Sequence, residues 1–181
     1  AASEAASGMG VLVCFGGEIH HARGARKTDT TSLVAFSSPQ TGPLGRVTEG
    51  HPTIWSKIPR NPSLDPPDLD RRVLVVPTCA GDDGSLSRAA LDIDPDGVVI
   101  GTLGAGHVPP PILELWAEAA QRIPVVDYSL HESGVILNAT YGYRASERDL
   151  RETLVIPAGF LSPQAARMPL LACLGSGPNV P

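Results

Sequence analysis

The sequence predicts an α/β protein in which a doubly wound parallel-sheet domain follows a shorter N-terminal part. Short, nearly continuous apolar runs, which are typical of strands covered on both faces, recur at 72–78, 97–104 and 123–128. Helical stretches alternate with these runs, and this alternation indicates right-handed crossovers between parallel strands. A proline-rich stretch at 49–71 precedes them and separates the two parts of the chain.

Composition excludes several classes of protein. The 181 residues are enough to bury a sizeable core, and the 19 acidic residues outnumber the 14 basic ones. Because Lys and Arg are scattered without a long run, we expect no nucleic-acid partner. No apolar stretch reaches the roughly 18 residues that cross a bilayer, and no signal-peptide pattern opens the chain. We therefore expect a soluble, cytoplasmic protein without a membrane partner.

The first elements are a strand hairpin and a loop that carries a lysine. Residues 10–22 contain VLVCF and EIHHA on either side of Gly16-Gly17, a tight-turn signal. Lys27 follows within ARKTDTTS, where a lysine on a loop is most often a solvated charge. The next segment, FSSPQTGPLG, has two prolines and two glycines and cannot continue a helix.

The proline-rich stretch predicts a boundary between domains. From Glu49 to Asp70 the chain holds five prolines and little periodicity, which indicates an extended connector. We therefore predict an N-terminal part at 1–48, a linker at 49–71 and a C-terminal α/β domain at 72–181.

Helices are predicted where apolar residues recur at helical spacing or where capping residues stand. PPILELWAEAAQRI is amphipathic and begins with prolines, which the first helical turn tolerates. The last helix has Ser162 as N-cap and Pro163 at its first position, and Pro169 predicts a kink or an interruption. In SERDLRETL, Glu147 and Arg151 stand four residues apart, as an ordinary surface pair on a helix does.

Cysteine and histidine residues give little support for a disulfide or a metal site. The three cysteines are an odd number, widely separated, and predict buried free thiols: Cys14, Cys79 and Cys173. Glu18, His20 and His21 could supply a metal ligand or two, yet no second cluster completes a set of four. Solvated side chains at a strand edge are the simpler interpretation, and we expect no metal.

The loop GTLGAGHVPP leaves the second predicted strand at the edge where parallel sheets bind ligands. Its small residues allow backbone or a ligand to approach closely. The alternative is that its glycines only make a tight strand-to-helix turn. The loop does not match G-x-G-x-x-G, so a dinucleotide site has little support.

Three segments in order resemble the bacterial-type L-asparaginase/glutaminase family. They are VLVCFGGEIHHARGARKTDTTSLVAFSSPQTGPLG, GVVIGTLGAGHVPP and SERDLRETLVIPAGFLSPQAAR. The first is the most specific, because it holds K-T-x-T-T, F-x-S-P and G-P-L-G in sequence. The resemblance covers almost all of this chain but only the later part of the family's chain. It implies that residues 1–48 are the end of the family's N-terminal α/β domain.

The resemblance implies that Lys27, at the lysine of K-T-x-T-T, is catalytic and belongs to a Thr-Lys-Asp relay. A threonine hydroxyl is a poor nucleophile, and a nearby amine and carboxylate can orient it and take its proton. An amine acts as a base only when burial or charge lowers its pKa. The family's nucleophile motif, T-G-G-T-I, and its G-T-D-T motif are both absent from these residues. Asp29 therefore stands at the variable position of the lysine motif.

The resemblance also implies two substrate-binding residues. His107 stands where the family's G-N-G-N loop has its substrate-contacting asparagine, and Glu147 stands at the glutamate that pairs with the substrate's α-ammonium. A histidine in this place leaves the preference between L-asparagine and L-glutamine open. The implied function is an amidohydrolase without metal or organic cofactor, which forms an acyl-enzyme on a threonine from a missing N-terminal segment and assembles from identical subunits.

Two alternatives remain open from the sequence. The chain could be a catalytically inactive, asparaginase-like module that binds an amino acid or another protein. It could also be an unrelated nucleotide-binding α/β domain, which would explain the sheet but leave the lysine motif unexplained.

Overall fold

The computed structural model describes residues 3–59, 64 and 68–176. The chain divides into two compact units, Ala1–Ser63 and Leu64–Pro181.

The first unit consists of short strands. After a single 3-10 turn at Glu4–Ala6, strands β1, β2, β5 and β6 form an antiparallel sheet in that order, and β3 pairs with β4 in a separate two-stranded ribbon. The strand bounds are β1 Leu12–Phe15, β2 Glu18–His21, β3 Arg26–Lys27, β4 Phe36–Ser37, β5 Gly45–Thr48 and β6 His51–Ile54.

The predicted hairpin is confirmed. Phe15 pairs with Glu18 across a two-residue turn in which Gly16 and Gly17 have φ values of 55° and 80°. Both values lie in the left-handed region, and turns of this kind match the twist of the strands that they join.

The start of the predicted linker forms a strand rather than a connector. β6 pairs with β5 from Thr48↔His51 to Gly45↔Ile54, after a turn at Glu49 and Gly50 in which both φ values are positive. The sheet tolerates Pro52 because β6 is an edge strand, where a missing N–H group leaves no partner unpaired. The rest of the linker prediction falls partly at 60–63 and 65–67, outside the described residues.

The second unit contains a four-stranded parallel sheet in the order β10-β9-β8-β7. Its strands are β7 Val73–Val76, β8 Gly97–Thr102, β9 Val125–Ser129 and β10 Ile156–Pro157. Its helices are α1 Ser85–Asp92, α2 Pro110–Ala119, α3 Glu147–Arg151 and α4 Pro163–Gly175.

Apolar side chains cover both faces of this sheet. On β8, Val98 and Ile100 pack in one core with Trp116 of α2, and Val99 packs in another core with Leu170 of α4. All six residues of β8 are buried, which explains why the strand is a continuous apolar run instead of an alternating one. The predicted α/β class, with a parallel sheet between helices, is confirmed.

Helix α4 matches the prediction at its start, and of the two outcomes predicted at Pro169, a kink or an interruption, the interruption is absent. Ser162 Oγ accepts a hydrogen bond from the N–H of Ala165 at 3.2 Å, as an N-cap residue does. The helix nevertheless continues through Pro169 to Gly175, so the expected interruption does not occur.

The prediction of three buried thiols is wrong. All three cysteines are free, but Cys14 and Cys79 are exposed and Cys173 is half-buried. Cys14 lies on β1, an edge strand, and Cys79 lies in the loop after β7, so an apolar neighbourhood in sequence does not bury either of them. Within the part of the chain that the structure describes, no helix is long and apolar enough to cross a membrane.

Candidate functional site

The loop after β8 turns back on itself and brings His107 to the carboxyl end of the sheet. Leu103 and His107 exchange two backbone hydrogen bonds, of 2.8 and 2.9 Å. Between them, Gly106 has a φ of 117°, and a Cβ atom added there would lie 3.2 Å from Cβ of Glu147. The loop therefore requires glycine at 106 both for its backbone conformation and for its close approach to α3.

Glu147 is the first residue of α3 and is fully buried. Its Oε1 atom accepts hydrogen bonds from the backbone N–H groups of Thr140 and Tyr141, both at 2.7 Å. Burial opposes ionisation, but the N–H groups of Tyr141 and Thr140 outweigh it, and the pKa of Glu147 is held below its ordinary value. The site therefore contains a buried, charged carboxylate.

His107 is the nearest basic group to this carboxylate. Its Nδ1 atom lies 3.5 Å from Oε2 of Glu147, and 16% of its side chain is exposed. Among the described residues, neither Nδ1 of His107 nor Oε2 of Glu147 has a hydrogen-bond partner. The rings of Tyr141 and Tyr143 lie 4.9 and 5.2 Å from the imidazole, between ring centroids. The structure thus brings together the two residues that the sequence proposed for substrate binding.

A cavity of about 550 Å³ opens beside His107 and Tyr143. It lies at the carboxyl ends of β7 and β8, the edge of an open parallel sheet where ligands bind. Its further lining residues come from the loops after those strands and from the start of α2: Ala80, Gly81, Asp82, Asp83, Leu103, Val108, Pro109, Pro110 and Pro111.

Arg151 does not form the surface pair with Glu147 that their spacing predicted. Its Nη2 atom donates to Oδ2 of Asp127 on β9 at 2.7 Å, and Asp127 is fully buried. Burial raises the pKa of Asp127 even though the guanidinium opposes the rise. A spacing of four residues places Glu147 and Arg151 on the same side of the helix but does not show whether that side is exposed. Here it faces the rest of the second unit, so each residue finds a partner elsewhere.

Lys27 lies in the first unit, in the lysine ribbon, by which we mean β3, β4 and the residues between them (26–37). It pairs with Phe36 across the ribbon, and its side chain is exposed. The N–H of Thr28 donates to the carbonyl of Ala35 at 2.9 Å, which closes the ribbon beyond the lysine.

Asp29 stabilises the turn inside the lysine ribbon. Its Oδ1 atom accepts hydrogen bonds from the backbone N–H groups of Thr31 and Ser32, each at 2.7 Å. The N–H groups of Thr31 and Ser32 lower the pKa of Asp29, with a smaller contribution from Lys27. This carboxylate is thus engaged within its own loop.

The interpretation of Glu18, His20 and His21 as solvated strand-edge residues is wrong for His20. Glu18 and His21 are half-buried, but His20 is fully buried, and so is its neighbour Ile19. Because consecutive strand residues face opposite sides, β2 is covered on both faces. Ser38, which follows the lysine ribbon, covers the face of β2 that carries His20, and its Oγ atom lies 3.0 Å from Nδ1 of His20. No sequence signal reveals this contact.

Sequence reasoning missed the two tyrosines beside His107 and the buried Asp127. Tyr141 and Tyr143 stand two residues apart in YGYR, and this aromatic pair shortly before Glu147 is a signal that could have identified them. Asp127 lies within the apolar run at 123–128, where a lone acidic residue indicates a buried partner. In the described parts of the chain, no three His, Cys, Asp or Glu residues are grouped so that they could hold a metal ion.

Comparison with known proteins gives matches along the chain. Residues 72–180 match the glutaminase/asparaginase C-terminal domain, and residues 1–60 match the N-terminal asparaginase domain. A "Probable L-asparaginase" of Deinococcus radiodurans is 38% identical over 175 residues, and the match covers 94% of this chain and 53% of the relative.

Two further relatives are more distant. The "L-asparaginase" of Bacillus licheniformis is 29% identical over 173 residues, and the match covers 93% of this chain and 52% of the relative. The "L-asparaginase 2" of Escherichia coli (strain K12) is 28% identical over 180 residues, and the match covers 96% of this chain and 50% of the relative. The chain therefore spans about half the length of the curated relatives that it matches. By these matches, the chain belongs to the glutaminase/asparaginase family.

Proposed function

We propose that this chain is part of an asparaginase-type amidohydrolase, which hydrolyses L-asparagine to L-aspartate and ammonia. The names of the relatives, each an L-asparaginase or probable L-asparaginase, support this activity. The observation that carries the proposal is the Oε2 atom of Glu147, a charged oxygen near His107 that has no hydrogen-bond donor among the described residues. A buried charge without a partner is unfavourable, and the α-ammonium of an amino acid is a partner of the required sign.

In this proposal Glu147 holds the substrate's α-ammonium. Its Oε1 atom already accepts two backbone N–H groups, so Oε2 is the atom left for the ligand. Both Oε2 and Nδ1 of His107 are buried, and a ligand reaches Oε2 only if neighbouring side chains move. In this proposal the imidazole of His107, which lies beside Oε2, rotates away from it when the substrate binds. The rotated ring can then form a hydrogen bond with the substrate.

Lys27 supplies the amine of the proposed relay. In this proposal the nucleophilic threonine and the relay aspartate come from a segment outside these 181 residues. Lys27 is exposed here, and a catalytic amine needs a lowered pKa. We propose that the threonine-bearing segment buries Lys27, and that identical subunits complete the substrate site.

An inactive binding module is the second candidate, and the exposure of Lys27 favours it. Ammonia release from L-asparagine distinguishes the two candidates. The 181-residue chain alone is expected to release none, whereas the same chain joined to the remaining part of the Deinococcus radiodurans relative is expected to release it. An inactive joined protein that still binds L-asparagine would support the module and refute the enzyme.

A further inference from the structure

The fully buried His20 connects the four-stranded sheet to the residue that follows the lysine ribbon. Its Nδ1 atom lies 3.0 Å from Oγ of Ser38, and its Nε2 atom lies 3.4 Å from Oε2 of Glu18. Ser38 is 6% exposed, so this polar contact is shielded from water. We propose that His20 is a positioning residue that holds the lysine ribbon, and with it Lys27, in place through Ser38.

The contact between His20 and Ser38 is a hydrogen bond in either tautomer of the imidazole. Nδ1 donates to Oγ of Ser38 where it carries the hydrogen, and it accepts from the Ser38 hydroxyl where it does not. Nε2 of His20 lies close to Oε2 of Glu18 but forms no hydrogen bond within the described residues. Glu18 is itself held by Arg46 of β5, whose Nη2 atom lies 3.1 Å from Oε1. The arrangement therefore runs from β5 through β2 to the end of β4.

The lysine ribbon depends on such side-chain contacts because its strands are only two residues long. Two short strands alone are marginally stable in water. Arg26 pairs with Ser37 and Lys27 with Phe36, so Ser38 directly continues the strand opposite Lys27. A second contact joins Phe36 to Phe15 of β1, with ring centroids 5.2 Å apart, but Phe15 is 40% exposed. His20 and Ser38 form the more deeply buried connection.

The order carboxylate, imidazole, hydroxyl also occurs where a serine is activated as a nucleophile. Here the burial of Ser38 argues for a positioning role, since a nucleophile must meet its substrate. A fluorophosphonate probe tests this assignment, because an activated serine oxygen attacks its phosphorus and displaces fluoride. No labelling of Ser38 is expected, and labelling would overturn the positioning role.

Two isosteric substitutions separate positioning from simple packing. The side-chain amide of His20→Asn reaches the place of Nδ1 and keeps a group that can bond Ser38. The amide of His20→Gln reaches the place of Nε2 and keeps only the contact with Glu18. Both variants bury an amide, and asparagine is the smaller of the two, so a role in packing alone would make His20→Asn at least as damaging as His20→Gln. Ser38→Ala is a milder third variant, which removes the same hydrogen bond if His20→Gln fails to fold.

Amide hydrogen exchange in the 181-residue chain reports the ribbon directly. The N–H of Thr28 is the probe, and the N–H of Val47, which donates to the carbonyl of Gly17 at 2.7 Å within the main sheet, is the control. In His20→Gln and Ser38→Ala we expect Thr28 to exchange about 5- to 30-fold faster, as for the loss of one buried hydrogen bond. His20→Asn is expected to stay close to the parent. Equal effects of Asn and Gln, or none in either, would overturn the proposal.

The link to Lys27 rests on the proposed function and is tested in the joined protein. There we expect His20→Gln to lower kcat for ammonia release with little change in KM, and His20→Asn to restore it. An unchanged kcat in His20→Gln would refute the positioning of Lys27. If the parent joined protein releases no ammonia, the proposed function fails, whereas the exchange experiment still decides whether His20 holds the ribbon.

Discussion

Oε2 of Glu147 and Nδ1 of His107 face each other across 3.5 Å, buried and without other hydrogen-bond partners among the described residues. The two side chains reach this position from different elements, since Glu147 begins α3 and His107 ends the turn after β8. Because two backbone N–H groups stabilise the charge of Glu147, the carboxylate does not depend on His107 for its ionisation. His107 can therefore be changed without removing the charge from the site.

Replacing His107 by asparagine should shift the preference of the joined protein towards L-asparagine over L-glutamine, because a side-chain amide offers both a donor and an acceptor on a shorter side chain than an imidazole. KM and kcat measured for both amides test this expectation. An identical preference in parent and variant would rule out this role for His107.

Replacing Glu147 by glutamine should flatten the pH dependence of stability in acid. The folded-state pKa of Glu147 is lowered, so its stabilising contribution is present above the ordinary value of about 4.3 and is lost as pH falls through the lower folded value. Glutamine keeps an acceptor for the two N–H groups but has no charge to lose. Denaturant unfolding of the 181-residue chain at successive acidic pH values measures the difference. Glu118→Gln, on the exposed side of α2, is the control and should follow the parent.

Removing Arg151 should destabilise the second unit by about 3–5 kcal/mol at neutral pH, because it leaves the buried charge of Asp127 without a partner. Loss of the guanidinium also raises the pKa of Asp127 further. The stability of Arg151→Met should therefore fall as pH rises from the unfolded value of about 3.9 towards the folded pKa, and the deficit should shrink in acid.

The matched control is Arg148→Met, which removes an exposed arginine from the same helix. It should change the free energy of unfolding little at any pH. The double variant Asp127→Asn with Arg151→Met should recover part of the loss, since no unpaired charge remains. A deficit in Arg151→Met that is independent of pH would contradict the assignment.

Replacing Lys27 by methionine should lower kcat for ammonia release in the joined protein by roughly a hundredfold or more, the effect of losing a proton-transfer partner. Methionine keeps the length of the side chain without its charge. Lys57→Met, at another exposed position of the first unit, is the control and should leave kcat near that of the parent. A rate in Lys27→Met within a few-fold of the parent would identify Lys27 as a solvated charge.

Much of the second unit could be predicted because its sequence patterns are local. Buried parallel strands are apolar on both faces, so the runs at 72–78, 97–104 and 123–128 coincide with β7, β8 and β9. The cap at Ser162 is equally local, because a hydroxyl followed by proline is typical of a helix start.

The remaining features depend on contacts between residues far apart in the chain. The burial of His20 requires Ser38, 18 residues later, and the pairing of Arg151 with Asp127 spans 24 residues. Charged and polar residues at these positions look like surface residues until the element that covers them is known. The contact between His107 and Glu147 was reached through family resemblance, since 40 residues, including helix α2 and strand β9, separate them.

The exposed thiols have a practical consequence for studying the two halves of the molecule. Cys14 belongs to the first unit and Cys79 to the second, and both are accessible to reagents, whereas Cys173 is half-buried. In a Cys173→Ser variant, a donor fluorophore and an acceptor fluorophore can be attached to Cys14 and Cys79, so that each unit carries one dye. Energy transfer between the dyes, followed while L-asparagine is added, would report directly whether a ligand changes the separation of the units.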